Sequence, residues 1–353
     1  MAVRRWVVVS ILLMHTFAGA QDWFPFPVEV WDPPFDVSSP RKQQDYVPLG
    51  EATGDWRIGV SFPHMKDAYW LAVNYGIVDE ARRLGVGLDL VQAGGYEHLD
   101  RQIEQIREQA ASGIDGVVIA SISLSGMDTL VADLARAGIP VIDAVNGMNS
   151  DHLAAKSLVS FGEMGGLAGS YLAERHQGPG DTARVAWFPG PEAAGWVQDG
   201  NEGFMKAVEA AAIEVVATRY GDTGRKAQEA LLNEVLDADE DLDYIVGTAV
   251  TAEAAVTILR NRGLSDRVQV ISYYLTPGVY RGIRRGRILA SPTDSAVIQG
   301  RIAVDQLVRV LEGKPVLRHV GPRLRIIDQQ NIGSFDRGTS LAPSGFRPTY
   351  TIN

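Results

Sequence analysis

The chain contains no cysteine in 353 residues. That excludes a disulfide framework, thiolate metal sites and cysteine nucleophiles, so an ordinary hydrophobic core must hold the fold. Histidine is sparse as well, with 6 in all. His15 lies in the first twenty residues, and His64, His98, His152, His176 and His319 stand at no spacing that holds a metal. They read as surface or loop residues. No GxSxG elbow, P-loop, HExxH or EF-hand loop occurs, and no nucleophile, base and orienting partner emerge together. The glycine pairs Gly94-Gly95 and Gly165-Gly166 have no GxGxxG context and do not signal phosphate binding. The reading is of a protein that is not an enzyme, without catalytic residues, metal or cofactor. A net charge of -10 argues against nucleic acid or an anionic membrane as the main partner.

Long apolar runs are missing after the N-terminus. There, Arg4 and Arg5 precede an apolar stretch from Trp6 to Phe17, followed by Ala18-Gly19-Ala20, a small-x-small cleavage site. Residues 1–20 read as an export signal, because a spanning helix needs ~20 apolar residues. The mature chain is expected to begin near Gln21, with no membrane-inserted segment. Its 46% hydrophobic content is ample for two domains sharing a hinge. Residues 21–55 are rich in proline and aromatics (Trp23, Phe24, Phe26, Trp31, Phe35) and lack periodicity. They suggest an extended arm lying over the fold, or a docking segment for another protein.

From Trp56 onward, strands and helices alternate. Strands are expected at 56–62, 88–93, 116–120 and 140–144, with helices at 68–84, 102–111 and 127–137 between them. After a helix at 164–174 the pattern repeats. Strands follow at 183–188, 214–218, 244–247, 268–273 and 288–291, with helices at 202–212, 228–236 and 252–262. A long amphipathic helix over 295–311 is expected to pack back on the first lobe. Such alternation implies parallel sheets covered on both faces. The fold class is therefore α/β, two doubly wound parallel-sheet lobes joined by a hinge, the architecture of type I periplasmic binding proteins. The expected division is 56–160 plus about 294–320 for one lobe, 161–293 for the other, and 321–353 as a C-terminal tail. Ligands of such sheets lie outside the carboxyl ends of the strands, here in the cleft between lobes.

Aromatic residues recur at those ends. Tyr69 and Trp70 open the first helix, Tyr96 follows Ala93-Gly94-Gly95, and Phe161 opens the crossing to the second lobe. Trp196 follows the loop Pro189-Gly190-Pro191, and Tyr273 and Tyr274 close a strand. Rings so placed suit a methylated ammonium, whose spread charge is attracted to ring faces. A sugar ring or plain core packing would use such rings as well, and spacing alone leaves all three open. Asp294 is read as a polar ligand contact or a helix N-cap, and with Glu163 it raises the thought of a carboxylate pair.

The string Phe62-Pro63-His64-Met65-Lys66-Asp67-Ala68-Tyr69-Trp70-Leu71, with Val73-Asn74-Tyr75-Gly76 after it, resembles the TorT-like periplasmic binding proteins. Further matches are Ala93-Gly94-Gly95-Tyr96, Pro189-Gly190-Pro191, Gly247-Thr248-Ala249 and Leu341-Ala342-Pro343-Ser344-Gly345-Phe346-Arg347-Pro348. They run over nearly the whole mature chain. The resemblance implies a periplasmic sensor protein that binds trimethylamine N-oxide (TMAO), or a related methylamine, in an aromatic cleft. It also implies a partner, the periplasmic sensor domain of a TorS-like histidine kinase. The family's tyrosine–tryptophan pair falls on Tyr69 and Trp70, and its later tyrosines on Tyr96 and Tyr274. A tryptophan of the family falls on Phe161, a smaller ring without an indole N–H. Trp196 stands where the family is not expected to have one, and either refills the pocket or changes ligand choice. The competing reading is a substrate-binding protein of an ABC transporter for a sugar or other small solute.

Overall fold

The proline-rich segment, expected as an extended arm lying over the fold, is a β-hairpin added to the edge of a sheet. In the computed structural model, which describes residues 23–177, 180, 182–238 and 241–353, it forms β1 (Phe26–Trp31) and β2 (Arg41–Tyr46), paired antiparallel. β2 reads RKQQDY and is exposed along most of its length, so it carries no alternation for sequence reading to find. The hairpin covers its own fold. Val28 and Tyr46 are buried with Ile298, Ile302 and Val320, and the Tyr46 hydroxyl accepts from Gln306 Nε2 at 2.7 Å. The export signal read at residues 1–20 lies outside the described residues.

The first repeat comprises β3 (Arg57–Phe62), α1 (Ala68–Leu84), β4 (Gly87–Gln92), α2 (Leu99–Ala111), β5 (Gly116–Ile119), α3 (Asp128–Arg136), β6 (Val141–Ala144) and β7 (Ala155–Ser157). The second comprises α4 (Phe161–Ala173), β8 (Ala183–Gly190), α5 (Gly195–Val208), β9 (Ile213–Tyr220), α6 (Arg225–Ala238), β10 (Tyr244–Gly247), α7 (Ala249–Arg262), β11 (Gln269–Ser272) and α8 (Pro277–Arg284). There follow β12 (Ala290–Thr293), α9 (Ala296–Leu311), β13 (His319–Pro322), β14 (Arg325–Asp328) and β15 (Thr351–Ile352).

Among the described residues the larger sheet has nine strands in the order β15-β4-β3-β5-β6-β7-β13-β1-β2. Its central strands from β4 to β13 run parallel, and β1, β2 and β15 are added antiparallel at the edges. A second sheet of four strands, in the order β11-β10-β8-β9, is parallel throughout, and β12 and β14 pair antiparallel apart from these two sheets. Both sheets place the first strand of their repeat between the second and the third, which creates a topological switch point in each lobe.

Helix ends follow local chemistry. Asp67 caps α1 by accepting from the backbone N–H of Tyr69 and Trp70, and Gly85 ends it in the left-handed conformation (φ 77°). α9 packs on α1 through glycine: a β-carbon on Gly76 would stand 2.0 Å from the Val297 carbonyl oxygen. The C-terminal tail is tied to the fold: β15 pairs with β4, and the Asn74 side chain bonds Thr349 on both its amide and carbonyl sides.

Candidate functional site

Residues that follow strand ends in both parallel sheets converge on one small cavity of about 30 Å³. Asp67, Tyr69 and Trp70 follow β3, Tyr96 follows β4, and Val145 and Asn146 follow β6. Phe161 and Met164 begin α4 after β7, Trp196 follows β8, Thr223 follows β9, Tyr274 follows β11, and Asp294 follows β12. Thus Tyr69, Trp70, Tyr96, Phe161, Trp196, Tyr274 and Asp294 all line a single space, with no lysine, arginine or histidine among the lining residues. Sequence reading did not single out Asp67, Val145, Asn146, Met164 or Thr223 as lining residues. The signal that finds them is position: each lies in a segment leaving the carboxyl end of a strand.

The rings support one another edge to face. Tyr69 and Tyr274 have centroids 5.1 Å apart at 67°, Tyr69 and Trp70 5.6 Å at 88°, and Trp196 and Tyr274 6.2 Å at 86°. Such contacts hold ring faces toward the space between them. Trp196 sits in the first turn of α5 rather than in a loop. Behind it, the buried Tyr273 stacks on its ring at 5.9 Å and donates to the Trp196 carbonyl at 3.2 Å. Tyr273, taken with Tyr274 as a cleft aromatic, is not among the lining residues; it props the wall.

Two carboxylates face the rings. Asp294 accepts from the Tyr69 hydroxyl at 2.5 Å and from Gln299 Nε2 at 2.7 Å. Burial raises its pKa, and those two donors oppose the rise. It caps no helix: the N-cap of α9 is Ser295, which makes no side-chain capping bond. Asp67 is pushed up to about 6, first by burial and further by the carboxylates of Glu253 and Asp222, against its backbone N–H partners. Glu163 pairs with Arg41 and is absent from the cavity wall, so it forms no carboxylate pair with Asp294.

Asn146 is aimed by a strained turn. Its N–H donates to the Ala144 carbonyl at 2.7 Å, with Val145 between them at φ 67°. That is a γ-turn of the rare positive-φ kind, and β-branched residues avoid this region. Strain of this sort gathers at ligand sites. From there Asn146 Nδ2 donates to the Tyr96 hydroxyl at 3.0 Å, and Trp196 Nε1 donates to the same oxygen at 3.2 Å. Tyr96 therefore has both acceptor positions filled and its own proton to give.

Polar contacts also cross between the sheets beside the cavity. His64, fully buried and not a surface residue, bonds Thr223 Oγ1 through Nε2 at 2.9 Å. Lys66 Nζ reaches Asp222 at 3.1 Å. His319 is likewise buried, stacked on Trp31 at 4.1 Å. No group of three or more acidic or histidine side chains able to hold a metal occurs among the described residues, and no helix there is long and apolar enough to cross a membrane.

A family model described as "Periplasmic binding protein domain" matches residues 58–315. The chain belongs to the periplasmic binding proteins. It is 35% identical to the periplasmic protein TorT of Escherichia coli K12 over 87% of each chain, which sets this periplasmic binding protein among the relatives of TorT. Its compartment is the periplasm. Two solved complexes of TorT with the TorS sensor domain, one without ligand and one in the presence of TMAO, are 33% identical to it. They superpose with TM-scores of 0.77 and 0.76, covering 84% of this chain and 100% of theirs. An ABC transporter solute-binding protein from Bradyrhizobium sp. BTAi1, solved with bis-tris bound, is 50% identical with a TM-score of 0.81, covering 94% of this chain and 99% of that one. The family consists of ligand binders.

Proposed function

We propose that this periplasmic binding protein takes TMAO or a related methylamine into the inter-lobe cavity and signals its occupancy to the periplasmic domain of a TorS-type sensor histidine kinase. Its role is binding, not turnover. The observation that carries the reading is the cavity lining: rings and carboxylates, with no basic side chain. A methylated ammonium cannot donate hydrogen bonds from its methyl groups, and ring faces attract it without demanding any. Asp294 and Asp67 add negative potential beside them. The N-oxide oxygen needs a donor, and the Tyr96 hydroxyl has one to offer. A ligand that prefers the closed lobes shifts the protein toward that shape, which a partner then reads.

The lining also ranks ligands. Betaine carries a carboxylate, which would enter beside Asp294 and Asp67 with no cation to pair it. A sugar would find few side-chain donors between the rings.

The second reading, a solute carrier for an ABC transporter, is supported by the Bradyrhizobium relative, whose ligand is a tertiary amine bearing hydroxyls. Isothermal titration of the mature protein with TMAO, trimethylamine, betaine and ribose tests the ligand. TMAO is expected to bind, with affinity lost in Trp70→Ala and Tyr274→Ala. Heat from ribose alone would overturn the ligand assignment. Co-purification with a TorS-type sensor domain supports the sensor role, whereas stimulation of a permease ATPase supports the transporter.

A further inference from the structure

The cavity lies at the carboxyl ends of β11 and β12. At their amino ends, on the opposite pole of the same lobe, a groove of about 400 Å³ runs between the last turn of α7 and residues 285–289. Arg260, Arg285 and Arg287 line it with Ser265, and Asp266 is its one acidic lining residue. Arg281 and Arg284 lie on the adjoining turns of α8, and Arg267 is next to Asp266. All six arginines are exposed. Among the described residues none of the six has an ion-pair or hydrogen-bond partner for its guanidinium.

Elsewhere the same surface finds partners for its arginines. Arg262, two residues from Arg260, reaches Asp237 at 2.7 Å, and Arg219 and Arg225 pair with Glu234 and Glu229. Helix ends account for part of the cluster, because α7 and α8 both finish here and cations complement a C-terminus. Arg267 and Arg287 belong to neither helix. Six like charges held together in a chain of net charge -10 repel one another unless an external anion offsets them.

We infer that this groove docks an acidic segment of a protein partner. The cations are all arginine, whose planar fork pairs carboxylates through two parallel bonds. A concave groove admits a protruding chain and meets a flat bilayer poorly. The large exposed hydrophobic side chains (Val37, Val47, Met205, Tyr220, Tyr350) lie elsewhere in the chain, so the patch has none to insert into lipid. Because it lies at the far pole, its occupation leaves the ligand cavity untouched.

The test is fluorescence anisotropy of a labelled decaglutamate peptide with the mature protein, at low and at physiological ionic strength. The wild type is expected to bind the peptide and to weaken with salt. Arg285→Glu/Arg287→Glu is expected to bind at least about tenfold more weakly. Arg136→Glu, an exposed reversal on the other lobe, should bind as the wild type does. Thermal melts and TMAO titration of the double variant should match the wild type, since the substituted positions are exposed. Equal peptide binding by the double variant, no binding by the wild type, or binding to phosphatidylglycerol vesicles that the peptide does not displace would each overturn the assignment.

Discussion

Trp196 donates its indole N–H to the hydroxyl of Tyr96 across 3.2 Å, joining the helix after β8 in one sheet to the segment after β4 in the other. One bond thus ties the two lobes and fills an acceptor position on the hydroxyl that faces the ligand space. Trp196→Phe keeps a ring in the wall and removes the N–H. The expected cost is that of one neutral hydrogen bond, about 1 kcal/mol, seen as a fall of roughly fivefold in TMAO affinity, with little change in thermal stability. An unchanged affinity would mean that the contact does not report closure.

Asp67 makes ligand charge measurable. Its pKa is pushed up to about 6, with burial as the first cause. Between the ordinary value of 3.8 and about 6 the folded empty protein holds a proton that the unfolded chain has lost. The resulting stability is present below 3.8 and is lost as pH rises through about 6. A cation bound beside Asp67 favours its ionised form, so binding near pH 5.5 should release part of a proton. Trimethylamine, protonated at that pH, is the probe. Titration in two buffers of different ionisation enthalpy should give heats that differ at pH 5.5 and agree at pH 8. Identical heats at pH 5.5 would remove Asp67 from the ligand's surroundings.

Much of this was legible from sequence, for identifiable reasons. Apolar spacing and the stop at Gly85 predict a helix over 68–84, which is its observed span, and the structure adds the Asp67 cap at its start. The periodicity predicts α5 over 202–212, whereas the helix spans 195–208 and holds Trp196 in its first turn. Its N-cap, Ala194, makes no side-chain bond, and Gly195, Gly200 and Gly203 depress helix propensity across its first turns. Those glycines are there for packing: a β-carbon on Gly203 would stand 1.8 Å from the Gly162 carbonyl oxygen of α4. The hairpin β1–β2 was hidden by its polar second strand. The turn at Val145 left no mark at all, since its φ of 67° contradicts the residue's own preference. The ring positions were legible because strand ends were. The carboxylate and amide partners that orient the rings depend on long-range contacts that no spacing announces.

His64 gives the protein an acid limit. Its pKa is pushed down to about 4, chiefly by burial, with Lys66 adding and Asp222 and Glu97 opposing. The lowered value favours the neutral ring, whose Nδ1 accepts from the Lys66 N–H at 3.3 Å while Nε2 meets Thr223. The unfolded chain takes up the proton first, so the associated stability is complete above pH 6.5 and is lost as pH falls toward about 4. The span corresponds to about 3 kcal/mol as an upper bound. Asp67 acts in the opposite sense over an overlapping range, so the wild-type profile should be shallow. His64→Gln should remove the acid loss and expose the rise due to Asp67, read as urea midpoints between pH 4 and 7. Parallel profiles for variant and wild type would show that His64 protonates without cost.

The pair Gly165-Gly166 separates a packing role from a passive one. A β-carbon at Gly165 would stand 2.0 Å from the carbonyl oxygen of Gly200 on α5, whereas one at Gly166 would stand 3.8 Å from that of Gly203. Backbone cannot yield by the distance the first requires without parting the two helices. Gly165→Ala should therefore destabilise by about 1–3 kcal/mol. Gly166→Ala should be neutral or stabilising by up to ~1 kcal/mol, through helix propensity. The effect should reach the ligand, because α4 carries Phe161 and Met164 and α5 carries Trp196, so parted helices open that wall of the cavity. Denaturation midpoints and TMAO titrations of the two variants check this together. Gly165→Ala should lose stability and affinity, and Gly166→Ala should keep both. Equal behaviour of the two would show that the α4–α5 contact does not set the width of the cavity.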